Sequence, residues 1–514
     1  MERYFLGIDI GTFESRGILI DESFRVAADA SVPHGMDNPQ PGWFEQDAEA
    51  VWWGDLCKLC RTLIKQSGIR PEQIACVGTS ALGTDCLPVD EQGRPLRPAI
   101  LYGIDARASE EAAWLTEHYG QARVQELFGH PICPGDTATK ILWLRRHEPE
   151  IYAKTAYFLT GSSFLTARLT GKYVIDQFLA KGSFRPLYQA DGSVNEAECG
   201  LYCRPDQIAA CAWSTDIVGT VTPEAAAQTG LAAGTPVITG TGDSTAEAIS
   251  VGLVEPGTAF FQYGSSMFYY YCTDRFVGSY VSPQGNGTLK GGKAFTVPGT
   301  YCLGDGTNAA GTLTRWVRDL LYSKELDAEK QGGENAYAVM AREAAAVPPG
   351  SDGLIMLPYI YGERSPLQDA EATGMLFGLK GTHGRAQINR AALEAVGYST
   401  YQHLLLFEEL GVPPRRIITA GGGTKNAAWM QIICDMAGMP LTIPEPFQCS
   451  SYGDAMLAAL GIGALESFAA LCAALPQGRI LQPDRKNHEF YQEHYPIFRD
   501  LYLENRDRMH RMQK

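Results

Sequence analysis

Two kinds of apolar patterning alternate along the chain. Short, nearly continuous apolar runs stop at glycine: residues 4–10 before Gly11, 237–238 before Gly240, 259–263 before Gly264 and 416–419 before Gly421. Runs of that length closed by a turn residue predict buried strands, and 74–78 and 99–101 read the same way. Between them, apolar residues recur at spacings of three and four, which predicts helices over 47–66, 110–119, 137–146, 162–169, 245–253, 308–321, 387–410, 427–437 and 452–463. A more polar helix is expected over 327–346, interrupted by Gly332 and Gly333, and a charged surface helix over 487–513. The Gly, Ser and Pro content of 278–292 predicts an exposed loop, and Trp316 and Trp429 are expected in the core. Strands alternating with helices imply an α/β architecture with helices on both faces of a sheet.

The pattern also repeats at long range. Residues 4–10 and 16–20 form a hairpin tipped by Gly11 and Thr12, and residues 259–263 and 267–272 form another tipped by Gly264, Ser265 and Ser266. Each hairpin carries an aspartate, Asp21 or Asp274, at the same separation from its turn glycine. Either the two halves are an internal duplication or two common hairpins coincide.

Length supports two domains, since 514 residues exceed what one core organises. A formal charge of -15 disfavours nucleic acid, whose phosphates call for clustered Lys and Arg. No run approaches the length of a membrane span, and the start, MERYFLGIDIG, lacks the pattern of a leader, so no membrane partner and a cytoplasmic location are expected. The 13 cysteines are scattered; Cys57 and Cys60 form a C-x-x-C with no second pair or suitably spaced histidines, which favours buried thiols over a zinc site.

The chemistry concentrates at VITGTGDSTAEA, residues 237–248, where an apolar run, a glycine turn and one carboxylate, Asp243, precede a helix of small residues. Asp243 is either a functional carboxylate or a helix cap. The turns at Gly11, Gly264 and Gly421 let backbone N–H groups converge on an anion, with Thr12, Ser265 and Ser266 adding hydroxyls. Together with the strand-borne Asp9, they suit the tail of a nucleotide and a divalent cation. No G-x-x-x-x-G-K-[ST] and no helix-opening G-x-G-x-x-G occurs, so neither a P-loop nor a Rossmann site is expected.

Several segments then carry a specific resemblance: FLGIDIGTFESRGILID at the start, GWFEQD at 42–47, the TGTGD turn, YGERSPLQDAEATGMLFGL at 361–379 and ITAGGGTKNAAWMQIICDMAGMPL from Ile418, followed by the helix that begins at Tyr452. From Gly7 to about Gly463 the chain resembles the FGGY family of carbohydrate kinases. The resemblance implies two duplicated actin-like ATPase domains, ribonuclease H-like, with a cleft between them that closes on substrate. It divides the chain into a sugar-side domain over 1–250, a nucleotide-side domain over 251–465 and a helical extension over 466–514. It further implies ATP and Mg²⁺ as cofactors and transfer of the γ-phosphoryl to a sugar or polyol hydroxyl. Asp243 would act as base and, with Asp9, hold the metal; Gly11, Thr12, Gly264, Ser265 and Ser266 would bind phosphates; and Gly421, Gly422, Gly423 and Asn426 match the adenosine-side loop.

By the same resemblance, Thr84, Asp85, Asp105 and Arg107 are the polar candidates for binding substrate hydroxyls, with a structural role as the alternative; Asp243 would also meet the substrate. Glu363 and Arg364 are expected to pair with each other, and Trp43, Glu45 and Gln46 to brace a helix start or border the sugar pocket. Xylulose kinases carry Met-His where this chain has Gly83-Thr84, and Trp-Asn-Asp where it has Tyr102-Gly103-Ile104-Asp105, a departure from a xylulose pocket. The IDARA segment resembles kinases of linear hydroxylated substrates. The expected acceptor is a pentulose such as xylulose or ribulose, with erythrulose, a tetritol, gluconate or an autoinducer-like molecule as alternatives. A partner-switching actin-like ATPase is the reading from another class, and a homodimer stays open.

Overall fold

The protein, described from a computed structural model over residues 2–445 and 448–513, divides into two compact units. The first comprises Met1–Val254, Lys293–Tyr301 and Pro446–Leu475; the second Glu255–Gly292, Cys302–Glu445 and Pro476–Lys514.

Each unit is built on one twisted sheet with the same strand order. In the first, Val26–Pro33, Glu14–Asp21, Tyr4–Ile10, Ile74–Ala81, Pro236–Ile238 and Ile217–Thr220 are neighbours in that sequence. The hairpin strands pair antiparallel, Tyr4–Ile10 pairs parallel with Ile74–Ala81, which pairs parallel with Pro236–Ile238, and the Ile217–Thr220 edge is antiparallel. In the second unit, Tyr301–Gly306, Met267–Thr273, Thr258–Tyr263, Arg416–Ala420, Leu441–Ile443 and Arg479–Leu481 repeat that order. The hairpin is again antiparallel, the next two pairings parallel and the edge antiparallel. Six positions in the same order, with four matching pairing directions, are far more than a coincidence of hairpins, so the duplication read from the two turns holds.

The helix Ser450–Gly461 packs on the first sheet although it lies far along the chain, because glycines let backbones meet. A Cβ on Gly7 would stand 1.8 Å from the Ser451 carbonyl oxygen, one on Gly78 2.3 Å from that of Asp454, and one on Gly453 1.9 Å from that of Ala246. The helix thus lies flat on Tyr4–Ile10, Ile74–Ala81 and the helix Asp243–Ser250. A single cut near residue 250 therefore does not separate the compact units.

Several local expectations change. The helix predicted over 47–66 opens as a wider π turn, Ala48–Trp53, capped by the Asp47 carboxylate, before the α-helix Gly54–Ser67 begins. Cys57 and Cys60 lie buried on that helix, where burial raises both thiols. The segment 278–292 is no simple exposed loop. It holds a short hairpin, and the buried Asn286 donates to Glu409 and accepts from the Tyr495 hydroxyl. Trp316 is 39% exposed rather than core. The last helix, Arg485–Met512, is charged on one side only; Tyr491, Tyr495, Phe498 and Tyr502 belong to the core of the second unit.

Candidate active site

In the first unit, three carboxylates gather at the strand ends. Asp9 sits near the end of the first strand, Asp243 is the first residue of its helix, and Asp454 comes from the helix that the glycines admit. Asp243 accepts from the Ser244 backbone N–H at 2.6 Å, so it contributes to the helix start while its field reaches Asp9. The Ser80 hydroxyl oxygen lies 2.9 Å from Asp9 Oδ1 and 2.6 Å from Asp454 Oδ2. One hydroxyl has one proton to give, so the second contact calls for a proton on a carboxyl. The electrostatics agree. Burial, then the neighbouring Asp243 charge, hold Asp9 well above the usual carboxylate range, and burial with Asp9 does the same for Asp454. Burial also raises Asp243, against the Ser244 amide. Asp454 Oδ1 is buried without a partner. Ser80 and Asp454 were missed in the sequence; the legible signal was an aspartate inside the small, apolar helix SYGDAMLAALG.

The first glycine turn is held by side chains. Gly11 N–H donates to the Glu14 carbonyl at 3.1 Å, and Gln46 Nε2 donates to the Thr12 carbonyl at 2.9 Å. The Thr12 hydroxyl meets the Tyr102 hydroxyl at 3.1 Å.

The four substrate candidates separate. Asp105 and Arg107 face each other: Arg107 donates to both Asp105 oxygens and to Glu45, and its guanidinium lies 4.4 Å from the Trp43 ring centroid and 5.2 Å from that of Trp143. Asp105 also accepts from the Phe44 backbone N–H at 2.7 Å. With both side chains wholly inaccessible, the pair ties the GWFEQD segment to IDARA, the structural role that stood as the alternative to binding hydroxyls. Asp85 is also fully buried, and neither oxygen has a hydrogen-bond partner; burial raises it well above its usual range, against the nearby Lys140 charge. Lys140, itself buried, donates to the Thr84 carbonyl at 2.7 Å. Thr84 is the one candidate of the four that keeps partial exposure.

The second unit contains a cavity of about 520 Å³. Gly264 and Ser265 of the second hairpin turn line it, as do Gly422, Gly423, Asn426 and Trp429. Asn426 caps the helix Ala427–Ala437 through the Trp429 N–H, and Gly421 adopts φ of 90°, where a Cβ would meet the Tyr263 carbonyl oxygen at 2.7 Å. Glycine is thus required for the loop to lie against the strand. Trp429 is buried, as expected, and forms part of the cavity wall.

Glu363 and Arg364 do not pair through their side chains. Glu363 Oε1 accepts the backbone N–H groups of Asn308 and Arg364, each at 2.8 Å, whereas Arg364 lies 3.1 Å from Asp305 and donates to the Gly306 carbonyl. Burial pushes the Glu363 carboxyl up to about 8.

Two duplicated α/β units, one bearing a carboxylate cluster and the other a cavity lined by glycine turns, suit phosphoryl transfer to an alcohol group. Comparison with known proteins specifies it. Family models for the N-terminal and C-terminal domains of the FGGY family of carbohydrate kinases match residues 4–250 and 263–462, and the chain belongs to this ATP-using family. It is 30% identical over 501 residues to a xylulose kinase of Escherichia coli, covering 97% of this chain and 98% of that protein. It is 29% identical over 506 residues to a gluconokinase of Bacillus subtilis, covering 98% and 96%. The solved structure of a xylulose kinase from Rhodospirillum rubrum superimposes with a TM-score of 0.87 at 28% identity, covering 99% of this chain and all of that one. The fold is therefore the actin-like ATPase fold, and the activity is that of a carbohydrate kinase. None of these relatives supports the reading as a partner-switching ATPase. Among the described residues no helix is long and apolar enough to cross a membrane.

Proposed function

We propose that this carbohydrate kinase phosphorylates an uncharged short ketose or polyol, foremost a pentulose such as xylulose or ribulose, in the cytoplasm and with Mg²⁺. The observation that carries the choice of an uncharged acceptor is the charge around Asp243: a second buried carboxylate, Asp85, stands in its field, with Lys140 as the cation beside it. An aldonate would bring a further carboxylate into a neighbourhood where burial already opposes the ionised form of Asp85 and Asp243. Gluconate is the second reading, favoured by the similarity to gluconokinases.

In this reading Asp243 orients the acceptor hydroxyl and takes its proton; general-base assistance of that kind contributes about 10²–10⁴-fold. The remaining work is positioning and charge neutralisation, since the transferring phosphoryl passes through a loose transition state. Gly11, Thr12, Gly264, Ser265 and Ser266 bind phosphate oxygens. Gly421, Gly422, Gly423 and Asn426 form the wall for the nucleoside. The raised carboxyls of Asp9 and Asp454 and the orphaned Asp454 oxygen fit a neighbourhood that a divalent cation would relieve. Among the described residues no three acidic, His or Cys side chains form a metal site by themselves, so Asp9, with Asp243 nearby, would share the Mg²⁺ with phosphate oxygens and water. When bound, the cation supplies charge neutralisation at the phosphates. Thr84, beside Gly83, meets the acceptor, and Asp85 and Lys140 set its surroundings from below.

The test is Mg-dependent ADP release across xylulose, ribulose, erythrulose, erythritol and gluconate. One uncharged member should raise the rate sharply; equal ATP turnover with every member would contradict the kinase reading, and preference for gluconate would favour the second.

A further inference from the structure

Tyr102 joins two parts of the first unit that have different tasks. It follows the strand Ala99–Ile100, on the acceptor side, yet its hydroxyl lies 3.1 Å from the hydroxyl of Thr12 in the phosphate turn. The Asp243 and Asp85 charges both act on the phenol. The Thr12 main chain is fixed from the other side. Gln46 Nε2 donates to the Thr12 carbonyl at 2.9 Å and to the Gly35 carbonyl at 3.2 Å, while its Oε1 accepts from Trp52 Nε1 at 2.9 Å. Gln46 is buried and anchored at both ends, so the backbone of Thr12 is set without help from Tyr102. What Gln46 leaves undetermined is the direction of the Thr12 hydroxyl.

A hydroxyl carries one proton and two acceptor positions. If the phenol donates to Thr12 Oγ1, the threonine proton is released from that contact and can be given to a phosphate oxygen. Burial raises the phenol, and the Asp243 and Asp85 charges add to it against the Thr12 hydrogen bond, so Tyr102 has a proton to give. We propose that Tyr102 is a positioning residue for the nucleotide phosphates: an acceptor-side side chain that aims the Thr12 hydroxyl and thereby sets the phosphate turn. This rests on the reading of Gly11 and Thr12 as phosphate ligands. Its consequence is specific, because losing the phenol hydroxyl changes nucleotide binding although the residue stands on the acceptor side.

The experiment is a double-mutant cycle on nucleotide affinity. Binding of Mg²⁺ with the non-hydrolysable β,γ-imido analogue of ATP is measured by calorimetry on the full chain, for the wild type, Tyr102→Phe, Thr12→Val and the double variant, with Thr12→Ser as the conservative rescue. A neutral hydrogen bond of ordinary strength predicts that each hydroxyl deletion weakens binding about five- to tenfold. The double variant should bind no worse than the weaker single, Thr12→Ser should stay within about twofold of wild type, and the acceptor KM of Tyr102→Phe should stay unchanged. Independent, multiplying losses would overturn the proposal, as would a raised acceptor KM in Tyr102→Phe with nucleotide affinity intact. If the wild type itself fails to bind the analogue, the kinase reading falls and takes this inference with it; wild-type binding with multiplying losses removes this inference alone.

Discussion

The two glycine turns occupy the same place in duplicated sheets but are held differently. In the first unit, side chains hold Thr12: Gln46 at its carbonyl and Tyr102 at its hydroxyl. In the second unit the backbone carries most of the support, joined by the Thr312 hydroxyl, which donates to the Ser265 carbonyl at 2.9 Å. Ala310 and Thr312 donate their N–H groups to the Ser265 carbonyl, at 3.0 and 2.9 Å, and Gly311 donates to the Gly264 carbonyl at 2.9 Å. The helix Gly311–Leu321 therefore starts directly on the turn, and behind it stands a series of braces. Glu363 fixes the Asn308 N–H, the Glu363 and Asp369 backbones exchange hydrogen bonds at 2.8 Å, and Asp369 is held by Tyr502 and His510 of the last helix. Duplication thus preserved the strand order while the support of the turn diverged. Side chains can be replaced one at a time; a backbone brace fails only where a new atom cannot fit.

The largest expected effect of breaking this difference is at Gly311. A Cβ there would stand 2.5 Å from the Gly264 carbonyl oxygen, so Gly311→Ala must push the turn away from the helix. Overpacking of this kind costs about 1–3 kcal/mol, and if the displacement is spent on the turn, ATP-analogue affinity should fall about 10- to 100-fold. The matching change in the first unit, Gly11→Ala, meets the Glu14 carbonyl oxygen at 2.8 Å in a turn with a less constrained surround, and should lose less. Titration calorimetry on both variants checks the ranking; equal losses would mean that the two supports do not differ in stiffness.

A smaller effect is expected at Glu363. Its carboxyl is pushed up to about 8 in the fold, against about 4.3 in an unfolded chain. A raised carboxyl contributes stability that is fully present below the unfolded value and is lost as pH climbs from there to about 8. Glu363→Gln keeps an oxygen for the two backbone N–H groups and removes the charge. Its melting temperature should match wild type near pH 4 and exceed it by a few degrees at pH 8; a constant difference across that range would contradict the linkage.

The smallest effect concerns Asp369. Burial opposes its ionisation, yet hydrogen bonds from His510 and Tyr502 lower it below its ordinary value. Its contribution is therefore present above the unfolded value, about 3.9, and lost as pH falls below that. Asp369→Asn should lower stability by about 1 kcal/mol at pH 7 and by less at pH 3, as thermal denaturation at the two pH values would show.

The sheet was legible wherever the apolar run was long enough to be buried on both faces, as at Tyr4–Ile10 and Thr258–Tyr263, and the two turns were legible because their glycines closed those runs. The carboxylates Asp9 and Asp243 could be picked out because each sat beside such a glycine. Asp454 could not be placed, since its position depends on Gly7, Gly78 and Gly453 admitting a helix from far along the chain, and no local pattern encodes that approach. Asp105 and Arg107 show a different limit: polar residues in the acceptor segment suggested hydroxyl binding or a structural role, and only the fold shows that they engage each other, Glu45, the Phe44 N–H and two tryptophan rings. The Glu363 and Arg364 side chains, adjacent in sequence, point to different partners because extended backbone alternates its side chains. Substrate identity was the least legible, as it rests on a few side chains rather than on the fold.

Asp243 is proposed to serve the transfer step and not nucleotide binding. The direct measurement is single-turnover phosphoryl transfer to the best acceptor of the panel by Asp243→Asn, together with the affinity of the same variant for the Mg²⁺ complex of the ATP analogue. The account predicts transfer slowed by at least about 100-fold, the low end of a general base's contribution, with analogue affinity within a few fold of wild type. Transfer at more than about a hundredth of the wild-type rate would contradict it.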